Sequence, residues 1–329
     1  MSAYDGPVPP STSRPSAPEA EGPRATSWAE VVRLRTLPAA LAPVILGAGA
    51  AGALGTFSLP RTLLAGGVAL ALQIGSNLAN DYSDGVRGTD DDRTGPPRLT
   101  ASGQVRPAVV KYAAFGCFAL AGLLGLALLA LSGQWWLVGV GIAAVAAAWF
   151  YTGGSHPYGY AGLGEVFVFV FFGLVATSGT VYVQGGLVPG WVWLSACGIG
   201  LIACSLLMVN NLRDINTDPA HGKRTLAVRL GQARARSAFV LMVRLPVLLG
   251  IAALTWARWS ESRDGNALGG ALILIVVAAV LALAAHRVSL PVRGGAQGRA
   301  LIPALRDAGL YELVYGVIMA LGLLAVTAA

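Results

Sequence analysis

Long, nearly uninterrupted apolar runs alternate along this chain with short segments that collect most of its charge. Nine such runs approach or exceed the about 20 residues that a membrane-spanning helix requires. They lie near 37–55, 59–80, 108–131, 135–151, 162–184, 189–210, 237–256, 267–286 and 308–328. Because the runs are continuous and do not alternate polar with apolar, the pattern predicts helices and not the strands of a membrane barrel. The predicted fold class is all-α, a polytopic membrane protein of nine transmembrane helices.

Composition agrees with the pattern. Hydrophobic residues make up 55% of the chain and charged residues 12%, half or less of the about 25% charged residues usual in soluble domains. The first 26 residues are rich in Pro and Ser and lack the apolar core of a secretory signal. They are expected to be a disordered tail ahead of a helical domain at 27–329. All Lys and Arg but Arg61, Arg258 and Arg263 fall on the side of the amino terminus if nine helices cross the bilayer. The positive-inside rule then predicts a cytoplasmic amino terminus and an outer carboxyl terminus in a cell membrane. The net charge of +7 thus reports loops beside anionic lipid, and no nucleic-acid motif accompanies it. Cys117, Cys197 and Cys204 fall inside predicted spans without paired spacing, so neither a metal site nor a redox motif is expected from them.

Two polar stretches interrupt the pattern in the same way. NDYSDGVRGTD begins at Asn80 and NNLRDINTD at Asn210. In each, an Asn precedes an Asp by four residues, Asn80 before Asp84 and Asn210 before Asp214, so the pair shares one helix face. The first copy runs on through Arg87, Gly88 and Asp90, the second through Asp218, Gly222, Lys223 and Arg224. Carboxylates and cations at a cytoplasmic face are ordinarily solvated charges, and Asp91 and Asp92 are read that way. The shared spacing sets the others apart, as does the placing of seven of the 16 acidic residues (Asp81, Asp84, Asp90, Asp91, Asp92, Asp214, Asp218) in these two segments. Alternating carboxylates and cations suit an anionic ligand that carries Mg²⁺, because magnesium is held by one or two carboxylates plus substrate phosphates, while Lys and Arg take the remaining phosphate oxygens. The candidate metal ligands are Asp81, Asp84, Asp90, Asp214 and Asp218. Asn80, Arg87, Asn210, Lys223 and Arg224 are candidate substrate contacts, and the ligand class is a diphosphate.

RTLPAALAPVILG from Arg35, NDYSDGVRGTDDDRTGPPRLTASG from Asn80, YTGGSHPYGYAGLGEVFVFVFFG from Tyr151 and NNLRDINTDPAHGKRTLAVRLG from Asn210 resemble the UbiA superfamily of intramembrane aromatic prenyltransferases. The resemblance is strong over about residues 33–232 and holds only in pattern for the last three helices. It implies nine helices around a central cavity open to the cytoplasmic face, two Asp-rich motifs that bind Mg²⁺ and an isoprenyl diphosphate, and a lipid bilayer as surroundings. Within the superfamily the likeness is closest to the branch that prenylates 1,4-dihydroxy-2-naphthoate, with loss of its carboxylate, in menaquinone synthesis. Polyprenyl diphosphate and that naphthoate are then the expected substrates. Two departures bear on this. The superfamily's N-D-x-x-D-x-x-x-D has Gly88 at its last position here, with the next carboxylate at Asp90. Many hydroxybenzoate-type relatives carry Y-x-x-x-K after the fourth helix, whereas Tyr151 is followed four residues on by Ser155.

The resemblance implies catalytic work for Asp84 and Asp214. Tyr151, Tyr158 and Tyr160 are candidate rings against an allylic cation, Tyr151 as a catalytic residue, although each taken alone is more often an interfacial tyrosine. Arg35 is a candidate partner for the acceptor carboxylate or, equally, a positive-inside anchor. Glu165, ionisable and inside a span, is a site candidate by default, either lining the cavity or pairing with a loop arginine. No Ser-His or Cys-His arrangement offers a nucleophile, which fits an electron-rich acceptor ring that attacks unaided. The alternatives are a sibling prenyltransferase with a hydroxybenzoate, homogentisate or phosphoribosyl acceptor, or a cation-coupled transporter. Against the transporter, both motifs are predicted at one membrane face and not at mid-span.

Overall fold

The computed structural model describes residues 33, 36–88, 99–100, 103–261 and 266–328. The expected tail at 1–26, Arg35, Asp90, Asp91 and Asp92 lie outside the described residues. Among the described residues there is no strand. Proline in the first turn, where its missing N–H costs nothing, opens α1 (Leu37–Ala53), α2 (Leu59–Val86) and α3 (Pro107–Ser132). α4 (Leu137–Phe150) leads through a short 3₁₀ turn, Tyr158–Ala161, into α5 (Gly164–Gly185). α6 (Gly190–Arg213), α7 (Leu226–Glu261), α8 (Ala267–Arg293) and α9 (Ile302–Ala328) complete the bundle. Glycine at positive φ stops α3 at Gly133 and α5 at Gly186.

Each predicted run coincides with a helix, but the helices differ from the runs in length. Among the described residues seven elements are long and apolar enough to cross a membrane, whereas α1, with 17 residues, and α4, with 14, are shorter. α2 reaches Val86 and so contains Asp84, and α7 begins at Leu226, ahead of the run near 237, with its backbone broken at Gly231 (φ 73°). Hydropathy marks only the greasy middle of a helix. The charged start of α7 is helical on both sides of Gly231, and Arg236 there donates to the carbonyls of Val292, in the last turn of α8, and Ala296, just past it, at 2.5 and 2.6 Å.

Two cores hold the bundle. The larger joins α1 and α5 to α9, with Trp191, Phe239, Tyr311 and Tyr315 among its fully buried side chains. The smaller joins α2 to α3 around Leu78, Val110 and Phe118, with Trp149 of α4 packed against it. α5 and α6 come close enough that a Cβ on Gly173 would lie 2.5 Å from the Gly200 Cα, so both positions depend on glycine. α8 exposes Leu268, Leu272, Ile275 and Val276, an apolar outer face suited to lipid. In α4 only Ala147 is buried, because one side of this helix faces a large cavity.

Candidate active site

The cavity has a volume of about 1300 Å³, and α1 to α6 contribute to its wall together with the start of α9. Asn80, Asp84, Asn210, Asp214, Asp218 and Lys223 line it, so the two Asn–Asp motifs meet in one space. Leu126, Leu129, Ile142, Val145, Phe171 and Phe172 line its apolar part. Phe171 and Phe172 lie in a π-helical stretch of α5, Phe169–Val175, a wider turn that recurs at functional sites.

At the end of α2, Asp84 accepts from the Tyr160 hydroxyl at 2.6 Å and pairs with Lys223 Nζ at 3.2 Å. Lys223 also stands over the Tyr160 ring, 4.9 Å from its centroid. Asn80 Oδ1 accepts from the Thr152 hydroxyl at 2.8 Å. Arg87 donates to the carbonyls of Thr152 and Gly154 and covers the other reach of Tyr160 at 5.5 Å. Its fork therefore fixes the turn after α4, and it does not line the cavity. Asp81 is one residue off the Asn80–Asp84 face and points the other way. It is fully buried and accepts from the Leu99 and Thr100 amides at 3.1 and 3.0 Å and from the Thr100 hydroxyl at 2.7 Å. The geometry thus separates Asp81 from the metal candidates: it holds the chain that returns to α3, and Leu99 fills the smaller core.

At the end of α6, Asp214 is the C-cap, its N–H still bonded to Asn210 O at 3.3 Å. The preceding residue, Arg213, grips it with both prongs, Nε to Oδ1 at 2.8 Å and Nη2 to Oδ2 at 2.5 Å. Asp218 opens a 3₁₀ turn, Asp218–His221, and its carbonyl accepts from the Lys223 amide at 3.0 Å across Gly222 (φ 74°). One tight turn therefore carries an acid and a lysine into the same cavity. Arg224 goes elsewhere. Its side chain is exposed and off the cavity wall, while its backbone ties the loop to Tyr160 O at 2.9 Å.

Both motifs sit at helix C-termini, where the macrodipole is negative and disfavours carboxylates. Cations must compensate, and Lys223 and Arg213 do so in part. Among the described residues no three His, Cys, Asp or Glu side chains converge tightly enough to form a metal group. The donor set nonetheless fits a hard cation. Asn80, Asp84, Asn210, Asp214 and Asp218 bring only amide and carboxylate groups to one cavity, the oxygen ligands magnesium takes when substrate phosphates complete its shell.

Above the acids lies a small aromatic stack. Tyr158 stacks on Phe167 at 4.0 Å and meets Tyr151 edge-on at 5.6 Å. Its hydroxyl donates to Ala147 O at 2.8 Å. A Cβ on Gly159 would stand 2.6 Å from Tyr151 O, which is why glycine lies between these tyrosines. Burial, followed by the Glu165 and Asp84 carboxylates, pushes the Tyr151 phenol above its ordinary range, and burial does the same to Tyr158. Both rings stay neutral and present apolar faces. Glu165 neither lines the cavity nor meets a loop arginine: Oε1 accepts from Asn211 Nδ2 at 3.2 Å. The residues that sequence reasoning did not single out are Arg213, Thr152 and Asn211. An Arg directly before the motif Asp at a predicted helix end was the available signal for the first of these.

The UbiA prenyltransferase family model matches residues 40–300. A 1,4-dihydroxy-2-naphthoate octaprenyltransferase from Mycobacterium tuberculosis is 48% identical, over 89% of this chain and 95% of the relative. The protein of that name from Haemophilus influenzae is 37% identical, over 90% of this chain and 95% of its own length. A solved UbiA homolog from Archaeoglobus fulgidus, bound to DMAPP and Mg²⁺, superposes with a TM-score of 0.63 at 13% identity, covering 91% of this chain and 99% of the homolog. At that identity the likeness is one of fold.

Proposed function

This chain belongs to the UbiA prenyltransferase family, and from that premise we propose that it transfers a polyprenyl group from polyprenyl diphosphate to 1,4-dihydroxy-2-naphthoate, with loss of CO₂, to give a demethylmenaquinol for menaquinone synthesis. The observation that carries this reading is the meeting of both Asn–Asp motifs at the polar end of one otherwise apolar cavity, in a chain 48% identical to a relative named for that reaction.

Asp84, Asp214 and Asp218, with Asn80 and Asn210, would hold Mg²⁺, which when bound supplies charge neutralisation on the diphosphate. Binding of the homolog's DMAPP together with Mg²⁺ supports this choice of metal. Lys223, on the wall beside them, takes phosphate oxygens and meets the charge that grows as the allylic C–O bond breaks. Tyr151, Tyr158 and Phe171 shield the allylic carbon from water, which would trap it as an alcohol. The electron-rich ring attacks that carbon, and departure of CO₂ leaves its bonding electrons to restore the aromatic ring. The polyprenyl tail follows the apolar wall of α3, α4 and α5. All nine helices cross the bilayer in this reading, α1 and α4 as short spans. The amino terminus and the acidic cavity mouth are cytoplasmic, as the distribution of Lys and Arg favours.

The test is purified protein in vesicles with Mg²⁺, a polyprenyl diphosphate and a panel of aromatic acids, the products identified by mass spectrometry. Decarboxylated, prenylated naphthalenediol as the main product supports the reading. Prenylation of hydroxybenzoate or homogentisate instead contradicts it.

A further inference from the structure

Glu312, in the first half of α9, has no place in the mechanism above. It is 1% exposed, and neither carboxylate oxygen has a hydrogen-bond partner among the described groups of the protein. The other buried acid in a span, Glu165, has Asn211 as a partner for one oxygen. An ionisable side chain at membrane depth is costly and marks a pathway or a binding site more often than a packing position. Replacing such a group by a hydrocarbon is often neutral or stabilising, so the fold itself does not ask for it. Glu312 lines the cavity, to which α1, α6 and α9 also bring Ala39, Asn211 and Leu305, while α3, α4 and α5 bring mostly hydrocarbon and aromatic side chains.

An acceptor oxygen pair without donors calls for a ligand that brings one. Polyprenyl diphosphate carries no hydrogen-bond donor to offer these oxygens. The naphthalenediol carries two hydroxyls. The one at position 1 is adjacent to the substrate's own carboxylate and can donate to it. The one at position 4 is remote from that carboxylate and must find its acceptor in the protein. We propose that Glu312 accepts the hydrogen bond of the 4-hydroxyl, seating the ring with that hydroxyl inward and its carboxylate toward Arg33 and Lys223 on the cavity wall. Glu312 is thus a specificity residue for a para-diol acceptor. The inference rests on the acceptor assignment above.

The experiment is steady-state kinetics on wild type and Glu312→Leu in vesicles, with each substrate varied in turn and with the 4-O-methyl ether of the naphthoate as a second acceptor. The net worth of a buried hydrogen bond corresponds to about a two- to twelvefold change. We expect the KM for the diol to rise by that factor in Glu312→Leu, with the KM for polyprenyl diphosphate unchanged and the melting temperature equal or higher. Wild type should disfavour the methyl ether by a similar factor, and Glu312→Leu should lose that discrimination. An unchanged diol KM in the variant overturns the inference. So does wild-type use of the methyl ether as efficiently as of the diol, a result that needs no variant to fold. If wild type prenylates no naphthoate at all, the acceptor assignment itself falls. If it does and either adverse result is found, only the role of Glu312 falls.

Discussion

The two Asn–Asp motifs share a spacing but not a setting. Asp84 lies inside α2 and is held by groups far away in the chain, Tyr160 and Lys223, 76 and 139 residues on. Asp214 lies one residue past α6 and is held by its own neighbour, Arg213. The first motif is therefore a junction. Through Lys223 it is tied to the loop that carries Asp218, so the second motif supplies a cation to the first. The second has a local grip, the bidentate one that Arg213 lays on the Asp214 carboxylate. A repeat in sequence has given one acid gripped by its neighbour and one held by groups from distant loops.

This difference can be broken at several points. The largest effect is expected where the two motifs act alike. Asp84→Asn and Asp214→Asn each remove a charge from the proposed metal site at nearly constant volume, and each should lower kcat/KM by about a hundredfold or more. A variant within a few-fold of wild type would remove that motif from the site. Arg213→Lys keeps the charge but loses the fork. It should weaken turnover by about ten- to a hundred-and-fifty-fold, with most of the change in the Mg²⁺ concentration needed for half-maximal rate. An unaltered Mg²⁺ requirement would show that Asp214 needs no pre-setting.

Smaller effects sharpen the contrast. Tyr160→Phe removes the hydroxyl on Asp84 and should cost roughly tenfold in kcat/KM. Equal Mg²⁺ dependence and rate in Tyr160→Phe and wild type would contradict the junction. Asp81→Asn should act on stability alone. Turning an acceptor into a donor beside two amides and a hydroxyl costs about 1–3 kcal/mol, read as a lower melting temperature with the Mg²⁺ requirement unchanged. Thr100→Val should add little in the Asp81→Asn background, because the two residues share one interaction. A shifted Mg²⁺ requirement in Asp81→Asn would return Asp81 to the metal set.

Much of this was legible in the sequence. Hydropathy located the helices, and the four-residue spacing put Asn80 with Asp84 and Asn210 with Asp214 on the wall of a common cavity. Adjacent letters were harder to separate. Asp81 and Asp84 read as one acidic cluster, and Lys223 and Arg224 as one basic pair, yet one of each pair lines the cavity and the other does not. A helix turns about 100° per residue, and Asp81 finds its partners at Leu99 and Thr100, beyond any local pattern. The Tyr160–Asp84 contact and the closeness of Gly159 to Tyr151 are tertiary, and spacing along the chain carries no trace of them.

The most direct measurement is equilibrium binding of an unreactive thio-diphosphate analogue of the prenyl substrate, with and without Mg²⁺, to wild type, Asp84→Asn, Asp214→Asn and Asp81→Asn. Both motifs acting on one metal-bound diphosphate predicts tight, Mg²⁺-dependent binding to wild type and Asp81→Asn, and loss of the Mg²⁺ dependence in each of the other two. Mg²⁺-dependent binding that survives in either Asp84→Asn or Asp214→Asn would contradict a shared site.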